Sequence, residues 1–439
     1  MFKFLAPPPA TDPVPEEQVN SKYKKLRLQV FGGIFVGYAG YYLVRKNFAL
    51  VTNDLVNEGF NEGELGLAMS FLAIAYGLSK FLMGNVSDRS NARTFMALGL
   101  ILSGIVMFIF GWFPFATSSV FFMGLLLFAN GWFQGMGWPP SGRVMVHWFS
   151  VKERGTKMSI WNVAHNIGGG LMAPLAILGF EIFNDWHAKF YFPGMVALVV
   201  ALIIYLLVRN SPQSEGLPSV EEWKNDYPPN YDKSHGATFT AKEIFTKYIL
   251  PNKLLWSIAI ANAFVYLIRY GVSDWAPLYL QQAKEFDFKS SGYAYAAYEF
   301  AGIPGTILCG WLSDKVFGGK RAPVSIIYLG LIAAAVVVYW MNPIGNPGID
   351  LACLIAIGFL IYGPVMLIGV HALDLVPKNA AGTAAGLTGL FGYFIGTAIL
   401  ANAVAGQIIE RFSWDGFFIF ILVACGLAIF FTSLTWRKE

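Results

Sequence analysis

Tyr41-Tyr42-Leu43-Val44-Arg45-Lys46-Asn47 and, much later, Tyr266-Leu267-Ile268-Arg269 decide how this chain is read. In each, an arginine interrupts a long apolar stretch and follows a tyrosine by three residues; Arg45 and Arg269 lie 224 residues apart. A second pattern recurs at nearly the same offset: Gly84-Asn-Val-Ser-Asp88-Arg89 matches Gly310-Trp-Leu-Ser-Asp314-Lys315. Gly155-Thr156 likewise returns as Gly382-Thr383. The chain is two copies of one unit, and each copy places an arginine where an arginine is expensive. A charge at bilayer depth costs several kcal/mol and marks a substrate or ion path. Duplication with charge at matching positions is how a transporter assembles one central site from two halves.

Composition agrees. Of 439 residues, 56% are hydrophobic and 13% charged, where soluble domains carry about 25% charge. A span needs ~20 mostly apolar residues, and twelve stretches qualify. The first six are 29–54, 64–85, 94–114, 118–147, 158–183 and 188–208. The second six are 253–280, 291–312, 323–341, 350–375, 380–409 and 416–436. The expected fold is an all-α integral membrane protein of twelve transmembrane helices in two pseudo-symmetric halves. A cytoplasmic segment, 1–28, precedes the first half, 29–208. A polar linker, 209–250, leads to the second half and its short tail, 251–439. No cleavable signal peptide is visible, so the first span acts as its own insertion signal. Cys309, Cys353 and Cys425 lie in apolar segments without metal-type spacing and read as small core residues.

Basic residues set the orientation. With the N-terminus inside, 23 of the 31 lysines and arginines fall in cytoplasmic segments, and only Lys189, Lys284, Lys289 and Arg411 in external loops. Both termini are thus expected in the cytoplasm. The four cations left over, Arg45, Lys46, Lys80 and Arg269, belong to the spans. They face few acids, Asp274 and Glu299 chief among them, with Asp374 near a cytoplasmic end. A water-lined cavity with a surplus of positive charge selects an anion. Two arginines suit phosphate best, because each planar fork can give paired N–H bonds to its oxygens.

Lys46 lies roughly 100° around a helix from Arg45, so both cannot aim at one point. It is either a structural partner, with Asp274 the candidate, or a ligand contact. Lys80 either snorkels to the cytoplasmic edge or lines the cavity. Tyr38, Tyr42 and Arg45, spaced by four and three, share one helix face, as do Tyr76 and Lys80. Tyr362 and Tyr393 are isolated polar aromatics of the second half. His165 sits mid-span with Asn162 one turn before it. The glycine-rich string Gly131-Trp-Phe-Gln-Gly-Met-Gly-Trp138-Pro139-Pro140 follows no strand and reads as helix crossing and kinking, not as a nucleotide loop. In the duplicated loops, Asp88 with Arg89 and Arg93, and Asp314 with Lys315 and Arg321, can form charge networks across adjacent helix ends. These are expected to be gate or scaffold residues that hold one of two rocking states.

These residues carry a resemblance. The loop Gly84 to Arg93, its copy at 310–321 and the six-plus-six spans resemble the major facilitator superfamily. Tyr41 to Asn47, Gly131 to Pro140, Trp161-Asn-Val-Ala-His165-Asn-Ile-Gly-Gly-Gly170 and Gly358-Phe-Leu-Ile-Tyr362-Gly-Pro364 look more narrowly like the organophosphate:phosphate antiporters. Pro212 to Pro218 and Ala301 to Gly305 extend the likeness to nearly the whole chain, which looks most like the branch that carries glycerol-3-phosphate. The resemblance implies exchange of external glycerol-3-phosphate for internal inorganic phosphate, with fosfomycin admitted adventitiously. It assigns phosphate binding to Arg45 and Arg269, assisted by His165. It matches Lys80, Tyr38, Tyr42, Tyr76, Asn162, Trp138, Tyr266, Tyr362 and Tyr393 to cavity positions, and Lys46, Asp274 and Glu299 to a charge network around the site. Ser141 stands where close relatives are expected to have cysteine.

The function expected is therefore a bacterial inner-membrane antiporter working by alternating access. It is expected to be a monomer that needs no cofactor or metal and engages phosphate esters, inorganic phosphate and the bilayer, but no nucleic acid. Two alternatives stand beside it: an antiporter for hexose phosphates or phosphoglycerate, and a non-transporting membrane sensor of organophosphates. An enzyme is not indicated, since no nucleophile–base pair or metal cluster emerges.

Overall fold

Polarity along the chain dictates where helices stop. Asn61 caps the second crossing and Glu64 answers it in a reciprocal box, while Ser150 and Glu153 do the same at the start of the fifth. The computed structural model describes residues 5–226, 243, 245–376 and 381–436. Residues 227–242 and 244 of the expected linker and the Asp88 side chain fall outside them.

The helices are α1 (Glu16–Leu43), α2 (Asn47–Asn57), α3 (Glu62–Asp88), α4 (Ala92–Trp112), α5 (Val120–Gln134), α6 (Trp138–Trp148), α7 (Val151–Phe183) and α8 (Ala188–Leu207). After the short α9 (Val220–Lys224) come α10 (Lys253–Ala283), α11 (Phe288–Trp311), α12 (Ala322–Met341), α13 (Pro347–Asp374) and α14 (Ala381–Leu390). A π-helical segment, Phe391–Val404, continues α14 into α15 (Ala405–Ser433). Nine helices among the described residues are long and apolar enough to cross a bilayer. One of them runs from Thr383 to Ser433 and turns at Ser413 (φ 58°), so it makes two crossings. The pair α1–α2 and the tyrosine-rich α11 complete the twelve.

Two crossings are broken, and the breaks matter. Between α1 and α2 the chain leaves the helix at Val44, Arg45 and Lys46. Asn130 of α5 donates to the freed Val44 carbonyl at 2.9 Å, supplying the partner that a helix end needs. The continuous helix assumed in placing Lys46 100° from Arg45 is therefore absent there. The second break, Gly135 to Gly137 between α5 and α6, lies in the glycine-rich string. At Gly131 a Cβ would stand 2.3 Å from the Leu72 carbonyl oxygen, so only glycine lets α5 lie this close to α3.

In the first half, α3 packs on α5, α4 on α8, and α1 on α7 and α8; in the second, α13 lies against α11 and α12, and α10 against the π segment and α15. The halves meet through α3 on the π segment and α15, α7 on α11, and α2 on α10. They are joined at the end bearing the start of α3. Gln282 donates to Glu62 at 3.2 Å, Lys289 meets Glu181 at 2.5 Å, and a Cβ on Gly66 would lie 2.4 Å from the Asn402 carbonyl oxygen. Further along α3, a Cβ on Gly77 would still come within 3.5 Å of Tyr393, but one on Gly84 would meet nothing within 4 Å.

Two lysines expected in water are not there. Lys189 is buried against Asp54 at 2.6 Å, and Lys284 against Asp350 at 3.6 Å. Each lies at a helix end of the joined face, where a paired carboxylate replaces the water that a loop would supply. The described start of the linker docks on α1: Lys22 donates to the Glu215 carbonyl at 2.6 Å, and Trp223 stacks on Tyr23 at 4.0 Å.

Candidate functional site

Arg45 sits in the gap between α1 and α2, only 4% exposed, and Arg269 in the unbroken α10, 7% exposed. Buried guanidinium needs compensation, and here aromatic faces supply it. Arg45 lies over Tyr42 at 3.9 Å and Tyr76 at 4.4 Å; Arg269 lies over Tyr362 at 4.4 Å and Tyr270 at 4.9 Å. Such contacts reach about 2 kcal/mol each when desolvated, and they leave the N–H edges free.

The rings connect the two arginines twice over. On one side Tyr42 neighbours His165 at 5.5 Å, and His165 neighbours Tyr362 at 5.7 Å. On the other, Tyr76 meets Tyr393 edge-on at 4.9 Å, and Tyr393 lies 6.2 Å from Tyr270. The arginines, one from each half, are thus linked by two chains of aromatic neighbours, five tyrosines and one histidine in all. The His165 Nδ1 bonds the Asn162 carbonyl. A carbonyl only accepts, so Nδ1 carries a proton and Nε2 is the nitrogen left for a ligand.

A second layer orients the first. Gln134 accepts from Arg45 Nε at 2.9 Å and donates to Ser103 at 3.3 Å. That fixes the fork, whose Nη1 and Nη2 are buried without a hydrogen-bond partner. Lys46 crosses to the other half, bonding Asp274 at 2.5 Å and Ser273 at 2.8 Å, with its Nζ 4.2 Å from the Tyr270 ring centre. Of the two readings of Lys46, the geometry is that of the Asp274 partner. Glu299 is held by hydroxyls instead: Tyr295 donates to it at 3.2 Å and Tyr362 donates to its other oxygen.

The remaining expected residues divide by position. Lys80 is half-buried, its Nζ 5.2 Å from the Trp138 ring centre and 5.8 Å from that of Tyr393. Trp138 and Asn162 are exposed. Tyr38 is buried behind the ring, stacked on Trp161 at 4.5 Å and edge-on to Tyr42. Tyr266 packs on Tyr393 and Tyr270, so the repeated Tyr-x-x-Arg is not used alike. With α10 unbroken, it is Tyr270, beside the arginine, that takes the place Tyr42 has at Arg45.

The loop charges lie apart. Arg321 meets Asp314 at 2.5 Å and Asp374 at 3.6 Å, all within the second half, while Lys315 and Arg89 are exposed. Arg93 lies over Tyr205 at 3.9 Å. The clasp of the first loop is Arg143, which donates to the Ser87 and Ser90 carbonyls at 2.5 and 2.6 Å. These contacts brace helix ends inside a half. Sequence reasoning missed Tyr270, Gln134, Ser103 and Arg143. Gln134 had a signal, being with Asn130 one of two amides in an apolar helix; the others had none beyond composition.

A profile of the Major Facilitator Superfamily matches residues 31–401. The chain belongs to the Major Facilitator Superfamily. Over 437 residues it is 56% identical to a glycerol-3-phosphate transporter of Bacillus subtilis, covering 100% of this chain and 98% of that one. A glycerol-3-phosphate transporter of Haemophilus influenzae is 50% identical over 468 residues, covering 100% and 97%. Among solved structures, a bacterial homologue of the human lysosomal transporter Spinster, inward-facing and unoccupied, superposes with a TM-score of 0.75 at 17% identity. That match covers 94% of this chain and 97% of the other, and such identity speaks for the fold alone. The superfamily member described here is a multi-pass membrane transport protein and not an enzyme.

Proposed function

We propose that this protein carries organophosphates across the bacterial inner membrane, exchanging external glycerol-3-phosphate for internal inorganic phosphate and admitting fosfomycin by the same route. One observation carries the reading. Two guanidiniums from opposite halves are linked through one ring of aromatic neighbours, and the Arg45 fork within it has no partner of its own. A phosphoryl group offers what those N–H edges lack, and it carries charge for both forks. The two glycerol-3-phosphate transporters similar along the full length support the same substrate class.

The ligand is the bridge on which the halves close. Arg45 and Arg269 bind the phosphoryl oxygens, and His165 presents Nε2 to the same group. Lys80, Asn162 and Trp138 line the approach, and Lys46 with Asp274 ties the halves beside it. Without an anion, closure brings two uncompensated cations together in a dry space, which electrostatics disfavours. The loaded protein therefore crosses and the empty one does not, which makes exchange obligatory. Both termini are cytoplasmic, so the open end faces the cytoplasm in this state. The protein acts as a monomer built of halves 29–208 and 251–439 joined by the linker.

Reconstitution in phosphate-loaded vesicles tests this. External glycerol-3-phosphate is expected to release internal phosphate one for one, ahead of hexose phosphates and phosphoglycerate, with fosfomycin competing. Rapid phosphate efflux with no external anion would overturn obligatory exchange, and a hexose phosphate ranking first would overturn the substrate.

A further inference from the structure

One arc of the ring is also the wall of a second space. Arg45, Tyr76, Tyr270 and Tyr393 border a cavity of about 40 Å³ that extends toward the joined end of the halves. Its other walls are mostly apolar: Phe48, Ala49, Met69, Leu72, Ala73 and Leu127. The Lys46–Asp274 ion pair forms part of the wall, and Thr397 and Asn402 complete it on the side of the π segment. Asn402 is 3% exposed, and its Oδ1 has no hydrogen-bond partner. An orphaned acceptor in a dry wall costs roughly 1–3 kcal/mol, and native proteins rarely leave one without a use.

The backbone explains why this amide reaches the cavity. At 3.6 residues per turn, the nine residues from Tyr393 to Asn402 would place them on opposite faces. From Phe391 to Val404 the helix is of π form, and Thr397 Oγ1 donates to the Gly392 carbonyl, five residues back, at 3.1 Å. The wider turn brings Tyr393, Thr397 and Asn402 onto one face. Such segments are uncommon and gather at functional sites.

We propose that this chamber receives the carbon tail of the ester while the phosphoryl group lies between the arginines, and that Asn402 accepts a hydrogen bond from a tail hydroxyl. This rests on the organophosphate reading above. The chemistry is selective. A hydroxyl donates to Oδ1, whereas a carboxylate presents only acceptors to an acceptor. Inorganic phosphate has no tail and does not engage the chamber. Asn402 thus sets preference among esters for a short hydroxylated tail.

The test is a substrate-by-variant cycle in vesicles, using inorganic phosphate, glycerol-3-phosphate and propyl phosphate, which lacks both hydroxyls. The unaltered protein is expected to favour glycerol-3-phosphate over propyl phosphate by about tenfold in apparent affinity, one hydrogen bond's worth. In Asn402→Leu, or Asn402→Ala where leucine does not fold, the two esters should come within about twofold of each other. The ratio of glycerol-3-phosphate to phosphate affinity should fall by the same factor. A preference retained in a folded variant, or absent from the unaltered protein while phosphate exchange runs, overturns this inference alone. Failure of phosphate exchange in the unaltered protein instead removes the function on which it rests.

Discussion

Lys46 Nζ lies 2.5 Å from Asp274 Oδ1, and the two residues belong to opposite halves. Both are nearly buried, so the attraction is only weakly screened, and losing one partner strands the other charge. Lys46→Ala or Asp274→Asn alone is expected to cost several kcal/mol, about 3–5 for a fully buried pair. It should lower the melting temperature in detergent. The double substitution Lys46→Met with Asp274→Leu removes both charges and should recover most of that loss. A double variant no more stable than the singles would show that the pair is not what holds these positions.

The arginines should respond to geometry and not to charge alone. Arg45→Lys and Arg269→Lys keep the cation but lose the planar fork. Each is expected to weaken phosphate exchange at least a hundredfold while shifting the melting temperature little. Exchange in vesicles read beside a thermal melt checks both halves of this claim.

Tyr362 has two duties that substitution can separate. Its hydroxyl bonds Glu299 and its ring lies under Arg269. Tyr362→Phe keeps the ring but leaves that carboxylate oxygen unpaired, costing roughly 1–3 kcal/mol of stability. Tyr362→Leu removes both and should also impair phosphate affinity. Equal affinity loss in the two variants would mean that the ring contact contributes nothing to binding.

Closure at the joined end depends on close backbone approach. A Cβ at Gly66 would sit 2.4 Å from a main-chain oxygen, which cannot swing aside as a side chain can. Gly66→Ala is expected to bias the protein away from this state and slow exchange several-fold. Gly32→Ala, with open space around it, serves as the control. Cysteine labelling at the joined face reads the shift; unchanged accessibility with slowed exchange would point elsewhere.

Acid should loosen the start of α7. Partial burial raises the Glu153 pKa, but bonds from Arg27 and the Ser150 backbone outweigh it and hold the carboxyl below its ordinary value of 4.5. A depressed folded pKa contributes stability that is complete above the unfolded value and disappears as pH falls through the folded one. Melting curves from pH 7 to pH 3 should therefore converge for the unaltered protein and Glu153→Gln as the pH falls below 4.5. A constant gap between them would deny the linkage.

Twelve crossings, two copies and four intramembrane cations are one-dimensional facts. Hydrophobic runs of bilayer length, lysine bias and a repeated Tyr-x-x-Arg are written along the chain, because the membrane acts on each segment separately. Which groups meet is not written there. The sequence treats Tyr42 and Tyr266 as equivalents, yet only a broken first crossing lays Arg45 over Tyr42, and the unbroken α10 hands that part to Tyr270. Lys189 and Lys284 lie buried against carboxylates 135 and 66 residues away, pairs that no local pattern encodes. The ring around the arginines, the orphaned fork of Arg45 and the amide of Asn402 arise where helices distant in sequence pack together. Side-chain direction there depends on helix breaks and on a π turn, which shift register by fractions of a turn that hydropathy cannot see.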